Sequence, residues 1–180
     1  MTADSIRHGC TMPATRRGFT LVEILIVVVI LGILAGIIIP RFTDASVQSK
    51  TNALKEDLRR LRQQIALYAA EHRDVPPGYP GGSPAATPTE ADFLQQMTLH
   101  TDENGNPSAT ASGIYRFGPY FQAMPANPLN ADSAVYVVAN GADLPEPGTV
   151  AGGWIYKPQT LELIPNLAGT DVDGKAYSDY

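Results

Sequence analysis

Residues 16–42 read RRGFTLVEILIVVVILGILAGIIIPRF, and this stretch decides the architecture. From Ile24 to Ile39 there is no charge. Counted from Phe19, the apolar segment is 21 residues, about 31 Å as a helix and close to the hydrocarbon thickness of a bilayer. It is apolar on every side, so its periodicity says nothing about facing. Length alone describes a signal anchor or a secretory signal peptide. Three features point elsewhere. The run is followed by Pro40-Arg41-Phe42-Thr43-Asp44, not by the small-residue pattern of a signal-peptidase site. The small residue comes before the run instead, where Arg16-Arg17 leads directly into Gly18-Phe19. Glu23 lies near the start of the run, where an ionisable group in lipid costs on the order of 3 kcal/mol and usually has a partner and a function. Gly32, Gly36 and Pro40 recur every four residues, a small face that permits close helix approach. Pro40 also removes a helical hydrogen bond, which predicts a kink or a melted stretch between Gly36 and Pro40.

Beyond Pro40 the pattern becomes amphipathic. Val47, Leu54, Leu58, Leu61, Ile65 and Tyr68 form one apolar stripe, with Lys50, Lys55, Glu56, Arg59, Arg60 and Arg62 on other faces. Asp74-Val75-Pro76-Pro77-Gly78 ends this helix. Such a stripe is short for a coiled-coil seam and fits a globular domain docked on the helix. Downstream, Thr89 with Asp92 three residues on predicts a helix over PTEADFLQQMTLH, through about His100. Thr101 to Ser112 reads as a loop, and GIYRFGPYFQAMPANPLN as irregular chain with its aromatics packed on the domain. Ser133 to Val138 reads as a strand. Gly153–Tyr156 and Thr160–Ile164 read as a hairpin turning at Lys157-Pro158-Gln159.

Composition bounds the rest. The 180 residues suit one domain with a modest core and an appendage. Net charge is −5; cutting after Gly18 leaves ten basic and 17 acidic residues, a net of −7. That balance argues against nucleic acid as a partner. The single cysteine, Cys10, precedes the apolar run, so the chain after Gly18 has no disulfide and no cysteine metal site. It must be stabilised by packing on the long helix, by neighbouring subunits or by a bound ion.

The stretch from Arg16 to Phe42 resembles the N-terminal signature of prepilin-type proteins, the family of type IV pilins and type II secretion pseudopilins. The resemblance implies a basic leader ending in Gly18, cut there by a prepilin peptidase, and a new N-terminal Phe19 that is N-methylated. Glu23 would be the family's acidic residue, pairing with the Phe19 amine of a neighbouring subunit or of its own chain and so serving filament assembly. That amine is positive near neutral pH. Removing one partner of a buried pair costs roughly 3–5 kcal/mol, so the pair sets register more than it adds stability. LRRLRQQIALYAAEHRDVPPGYP is similar to the helix end of G-type major pseudopilins, and FGPYFQAMPANPLN resembles a connector of secretion-type pilins.

The fold implied is α+β, the pilin fold. Residues 1–18 form the leader, 19–40 the transmembrane and filament-core helix, 41–74 the amphipathic helix, and 75–180 a loop-rich periplasmic domain with a small antiparallel sheet. The function implied is that of a non-enzymatic structural subunit of the type II secretion pseudopilus. It would cross the bacterial inner membrane once, with its N-terminus cytoplasmic. It would polymerise with itself and with minor pseudopilins on an ATPase-driven inner-membrane secretion platform. A type IV pilus subunit, for adhesion, motility or DNA uptake, is the alternative; the missing C-terminal cysteine pair leans away from it. A membrane-anchored enzyme or receptor with an uncut anchor is the third reading.

Little else in the sequence carries chemistry. His8, His72 and His100 form no close pair and no HExxH; His72 in the last turn of the long helix places a cation where the helix dipole favours one. No nucleophile elbow, P-loop or dinucleotide fingerprint occurs. Asp171-Val172-Asp173-Gly174 has the alternating oxygens of a calcium loop but lacks its remaining ligands. The resemblance places calcium in this region, at Asp171 and Asp173, while the residues themselves favour a solvated turn. No cofactor is required. Asp102-Glu103-Asn104-Gly105-Asn106 reads as a plain turn.

Overall fold

A computed structural model of the chain describes residues 18–180, with the side chains of residues 37–44 outside that description. All of the expected leader except Gly18 therefore lies outside the described residues. The chain divides into two compact units, with the boundary between Phe42 and Thr43.

Helix α1 (Leu21–Glu71) is one helical element of 51 residues. The helical assignment runs unbroken through Gly36 and Pro40, so of the kink or melted stretch expected there the backbone shows no melting. Proline removes a single donor, and the ladder on either side carries the helix past it. At the C-terminal end, the His72 amide donates to the Tyr68 carbonyl and the Asp74 amide reaches back to Ala69 at 2.9 Å. Arg73 and Asp74 adopt φ of 58° and 61°. This left-handed exit closes the last carbonyls, and Pro76-Pro77 bars any continuation.

In the second unit, α1 supplies the spine. Leu54, Leu58, Leu61, Ile65 and Tyr68 are each 2 % exposed or less. Val47, placed on the same stripe by the sequence, is 37 % exposed, because burial on this face begins only at Thr51. Against the stripe lie Phe93 and Met97 of α2 (Glu90–Thr98), whose N-cap Thr89 accepts from the Asp92 amide as its sequence predicts. Helix α2 stops at Thr98. His100–Thr101 (β1) and Pro107–Ser108 (β2) then form a two-residue antiparallel hairpin where a loop was expected.

The main sheet has β3 (Val135–Val137), β4 (Trp154–Lys157) and β5 (Glu162–Pro165), in that order. The β4–β5 hairpin is antiparallel, turning at Pro158–Thr160 as expected. The pairing of β3 with β4 is parallel, pairing Val135 with Trp154, so the sheet is mixed rather than wholly antiparallel. A parallel pair needs a crossover of a dozen residues or more, and the chain from Val138 to Gly153 provides it. Alternation along β4 sends Trp154 and Tyr156 toward α1, and Ile155 toward a second small cluster with Val138 and Ile164.

Irregular chain between these elements is bracketed by buried amides. Gln96 accepts from the Gly78 amide at 2.7 Å and donates to the carbonyls of Tyr79 and Gly105. Asn127 donates to the Gly153 carbonyl and accepts from the Leu129 amide. Asn166 donates to the carbonyls of Val150 and Gly152 and accepts from the Gly148 amide.

Candidate assembly site

The start of α1 is where the sequence placed function. Phe19 and Leu21 are 81 % and 83 % exposed. The large apolar side chains from Val22 to Leu34 each keep 47–62 % of their surface uncovered. A helix bare of partners and apolar on all sides calls for lipid or other helices around it. Among the described residues, no helix is long and apolar enough to cross a membrane. Within the apolar run the described side chains end at Gly36, short of Ile37–Ile39, which complete the run in the sequence.

Glu23 has a specific local partner. Its Oε2 accepts from the Thr20 amide at 2.8 Å and from the Thr20 hydroxyl at 2.9 Å, while the Glu23 amide donates to Thr20 Oγ1 at 3.2 Å. This is a reciprocal capping box, with Thr20 at the N-cap and Glu23 three residues on. Thr20 was not singled out from sequence, although Thr-x-x-Glu ahead of an apolar run is the signal for it. Glu23 stood out there as a charge in lipid, and that masked its ordinary helix-starting role. The cap uses Oε2; among the described residues Oε1 takes no hydrogen bond, so the carboxylate can receive a further donor without dismantling the cap. Cleavage after Gly18 would put an ammonium on Phe19, one residue before the cap. The positive end of the helix dipole disfavours that charge unless a carboxylate accompanies it.

The C-terminal loop is closed by donors. Asp171 Oδ1 accepts the amides of Asp173 and Lys175, both at 2.9 Å, and Oδ2 accepts the Tyr180 hydroxyl, with Lys55 Nζ 3.9 Å away. The Tyr180 hydroxyl, the two amides and the Lys55 ammonium outweigh burial and hold the Asp171 carboxyl below the usual carboxylate range. Burial and the Asp171 carboxylate push the Tyr180 phenol up. Asp173 offers its backbone to this turn and keeps an exposed side chain. Among the described residues no three His, Cys, Asp or Glu side chains converge. Both oxygens of Asp171 already accept protein donors, and with Asp173 the loop offers two carboxylates toward the roughly six to eight oxygens that a calcium ion takes.

Arg62, grouped with the polar faces from sequence, is a tether. Its Nε and Nη2 donate to the Leu163 carbonyl at 3.0 and 2.7 Å, and Nη2 also donates to the Tyr180 main-chain oxygen at 2.6 Å. His72 also departs from expectation. It is 2 % exposed, stacks on Tyr68 with ring centroids 3.8 Å apart, and donates from Nδ1 to the Tyr68 carbonyl while Nε2 meets the Thr101 hydroxyl at 2.9 Å. It sits within the fold and does not face the solvent at the helix end. The turn at Asp102 is a built one: Asp102 accepts from the amides of Asn104 and Asn106 and from the Asn106 side chain.

Residues 14–39 match the family model for the prokaryotic N-terminal methylation motif. The chain is 37 % identical over 59 residues to the type II secretion system core protein G of Pseudomonas aeruginosa, covering 33 % of this chain and 42 % of that one. It is 47 % identical over 55 residues to the type IV major pilin protein PilA of Myxococcus xanthus, covering 31 % and 22 %. A longer likeness, 26 % identity over 149 residues, joins it to the type II secretion system core protein G of Klebsiella pneumoniae, covering 77 % of this chain and 94 % of that one. The chain spans less than half the length of the first two of these relatives. No solved structure matches it.

Proposed function

From a prepilin-type N-terminus, and from the α+β fold behind it, we propose that the chain is a structural subunit of a type II secretion pseudopilus in the major, G-like role. The observation that carries the reading is the likeness to a secretion core protein G over 94 % of that protein's length, which takes in the outer unit as well as the N-terminal motif. A type IV pilus subunit rests on relatives such as the Myxococcus pilin, whose likeness covers 22 % of that protein.

In this reading the peptidase cuts between Gly18 and Phe19, and Phe19 is methylated. The apolar helix then holds the chain in the inner membrane, with the outer unit in the periplasm. The secretion platform transfers subunits from bilayer to filament, where the bare faces from Val22 to Leu34 are covered by neighbouring helices. Glu23 keeps its cap on Thr20 and presents its remaining oxygen to a Phe19 amine. Bending at Gly36–Pro40 accompanies packing into the filament. The subunit performs no covalent chemistry and binds itself, minor pseudopilins and the platform.

Intact mass and N-terminal sequencing of the membrane-extracted protein test the processing: the expected product starts at Phe19 and carries one extra methyl. A chain that keeps Met1, or is cut after Pro40, refutes it. Deleting the chain should abolish exoprotein release and spare surface motility. The reverse result would select the pilus reading.

A further inference from the structure

Beside α1, the outer unit holds a groove of about 590 Å³ in which Lys55, Arg59, Arg62 and Lys175 gather around Leu58 and Tyr180. This concentration of cations stands out in a chain that is acidic overall. The cations are set in place rather than scattered. Lys55 Nζ and Lys175 Nζ lie 4.3 and 5.0 Å from the centroid of the Tyr180 ring, and Arg62 is tied to two carbonyls. Arg59 is exposed and has no partner among the described residues. Of the carboxylates near the groove, Asp171 has a side chain 2 % exposed that already accepts two amides and the Tyr180 hydroxyl, while Glu162 lies near Arg62 and Asp173 near Tyr180.

The same unit carries a matching acidic feature. Most of its carboxylates are engaged within the chain, as with Glu71 on Tyr120, Glu90 on the Val135 amide, Asp102 on its own turn and Glu103 on Arg73. Asp143 and Glu146 are exposed, three residues apart on one loop, and without a side-chain partner among the described residues. Their loop is stiff. Pro145 and Pro147 flank Glu146. Asn140 is held by the Tyr79 hydroxyl and by its own bond to the Ala86 carbonyl, and the Gly141 amide donates to Gln159. The far end is held by Gly148 on Asn166 and by the Thr149 hydroxyl on the Glu146 carbonyl. Carboxylates presented on a pinned loop lose little conformational freedom on binding.

We propose that the groove of Lys55, Arg59, Arg62 and Lys175 receives the Asp143–Glu146 loop of a second copy of this chain. The two surfaces are different patches of one molecule, so the contact is heterologous and propagates along a helical polymer instead of closing as a dimer. Arg59 meets a carboxylate in fork geometry, and Lys55 and Lys175 supply the surrounding field. The contact rests on the filament reading above and adds an outer, electrostatic register to it.

The test uses the full-length chain in its own membrane. It has no cysteine after Cys10, so Arg59→Cys and Glu146→Cys introduced together report directly. A short bis-maleimide should give a ladder of covalent multimers, and neither single variant should. Separately, Arg59→Glu and Glu146→Arg should each lower sedimentable filament by roughly tenfold, and the double reversal should restore it to within about twofold of the parent. Unchanged Trp154 fluorescence confirms the fold in each variant. A parent chain that forms filaments, with no 59–146 ladder and with additive reversals, overturns this contact while leaving the filament reading intact. A parent chain that yields no sedimentable polymer overturns the filament reading, and the contact with it.

Discussion

Glu23 is asked to do two things, and glutamine separates them. In the structure its carboxylate closes a capping box with Thr20 through contacts of 2.8–3.2 Å. A glutamine makes the same box, since the reciprocal bond needs only a side-chain oxygen at that position. It cannot neutralise an ammonium. Glu23→Gln therefore keeps the helix start and deletes the charge, whereas Glu23→Ala deletes both. Loss of a cap costs about 1 kcal/mol, a change of roughly fivefold in an equilibrium. Leaving a Phe19 ammonium buried without its carboxylate costs roughly 3–5 kcal/mol, more than about a hundredfold. The expected outcome is that both variants insert and are cut after Gly18, and that both lose sedimentable filament by more than about a hundredfold. Thr20→Ala, which removes the other half of the box and leaves the charge, should cost only a few-fold, on the order of 1 kcal/mol. The assay is filament mass in the pellet after shearing and ultracentrifugation, normalised to membrane-inserted chain. If Glu23→Gln assembles within about fivefold of the parent, Glu23 is a helix cap and the pairing account is wrong.

Three further outcomes follow from the outer unit. Arg62→Ala breaks three bonds of 2.6–3.0 Å to Leu163 and Tyr180 at a partly solvated site, so the cost should be about 2 kcal/mol, or roughly 4–8 °C in Tm; Arg62→Lys, a point donor without the fork, should recover less than half. The fluorescence of Trp154, the sole tryptophan and fully buried, reports that melting, and a Lys variant equal to the parent would refute the fork. Asp171 has a folded pKa below its unfolded value; its contribution is therefore complete above the unfolded value of about 3.9 and is lost as pH falls through the folded value. Exchange protection of the Lys175 amide should fall in acid over that window, and Asp171→Asn should make it independent of pH there. Gly105→Ala places a Cβ against the Tyr68 hydroxyl and Gln96 at φ of 75°, so denaturant unfolding should show a loss of about 1–3 kcal/mol.

What the sequence revealed was local, and what it hid was not. The long helix, the Thr89 cap and the β4–β5 hairpin each follow from neighbours within a few residues, through an apolar period, a side chain bonding its own turn, and alternation across a proline turn. The parallel pairing of β3 with β4 depends on the crossover between them and on Asn127 and Asn166 holding Gly153 and its neighbours in place. None of that appears in a pattern of hydrophobic residues. The β1–β2 hairpin escaped notice because two-residue strands carry no periodicity; the Asp102 side chain and Gly105 make it. Val47 fits the stripe by spacing, yet the docked domain ends below it. Position along a stripe tells which face is apolar and not how far the covering partner extends. The N-terminal motif was the most legible part, since Gly18, Phe19 and Glu23 stand out by residue type within the stretch that matches the methylation-motif family. Thr20, which gives Glu23 its geometry, was hidden beside them.

The buried amides answer how an outer domain with no cysteine after Cys10 holds so much irregular chain. Backbone outside helices and sheets still has donors and acceptors that must be paired once buried. A carboxamide carries both kinds in one side chain, so a single buried Asn or Gln can join segments that never form a ladder. Gln96 joins the Gly78–Tyr79 turn to the Gly105 turn, Asn127 fixes the approach to β4, and Asn166 gathers Gly148, Val150 and Gly152. These bonds act between segments distant in sequence, as disulfides do, but they form when the chain folds and need no oxidant. The Asp143–Glu146 loop runs from Asn140, held by the Tyr79 hydroxyl and the Ala86 carbonyl, to Gly148, held by the buried Asn166. One of the buried amides that stand in for disulfides thus also pins the C-terminal end of the loop that the proposed contact presents to another copy.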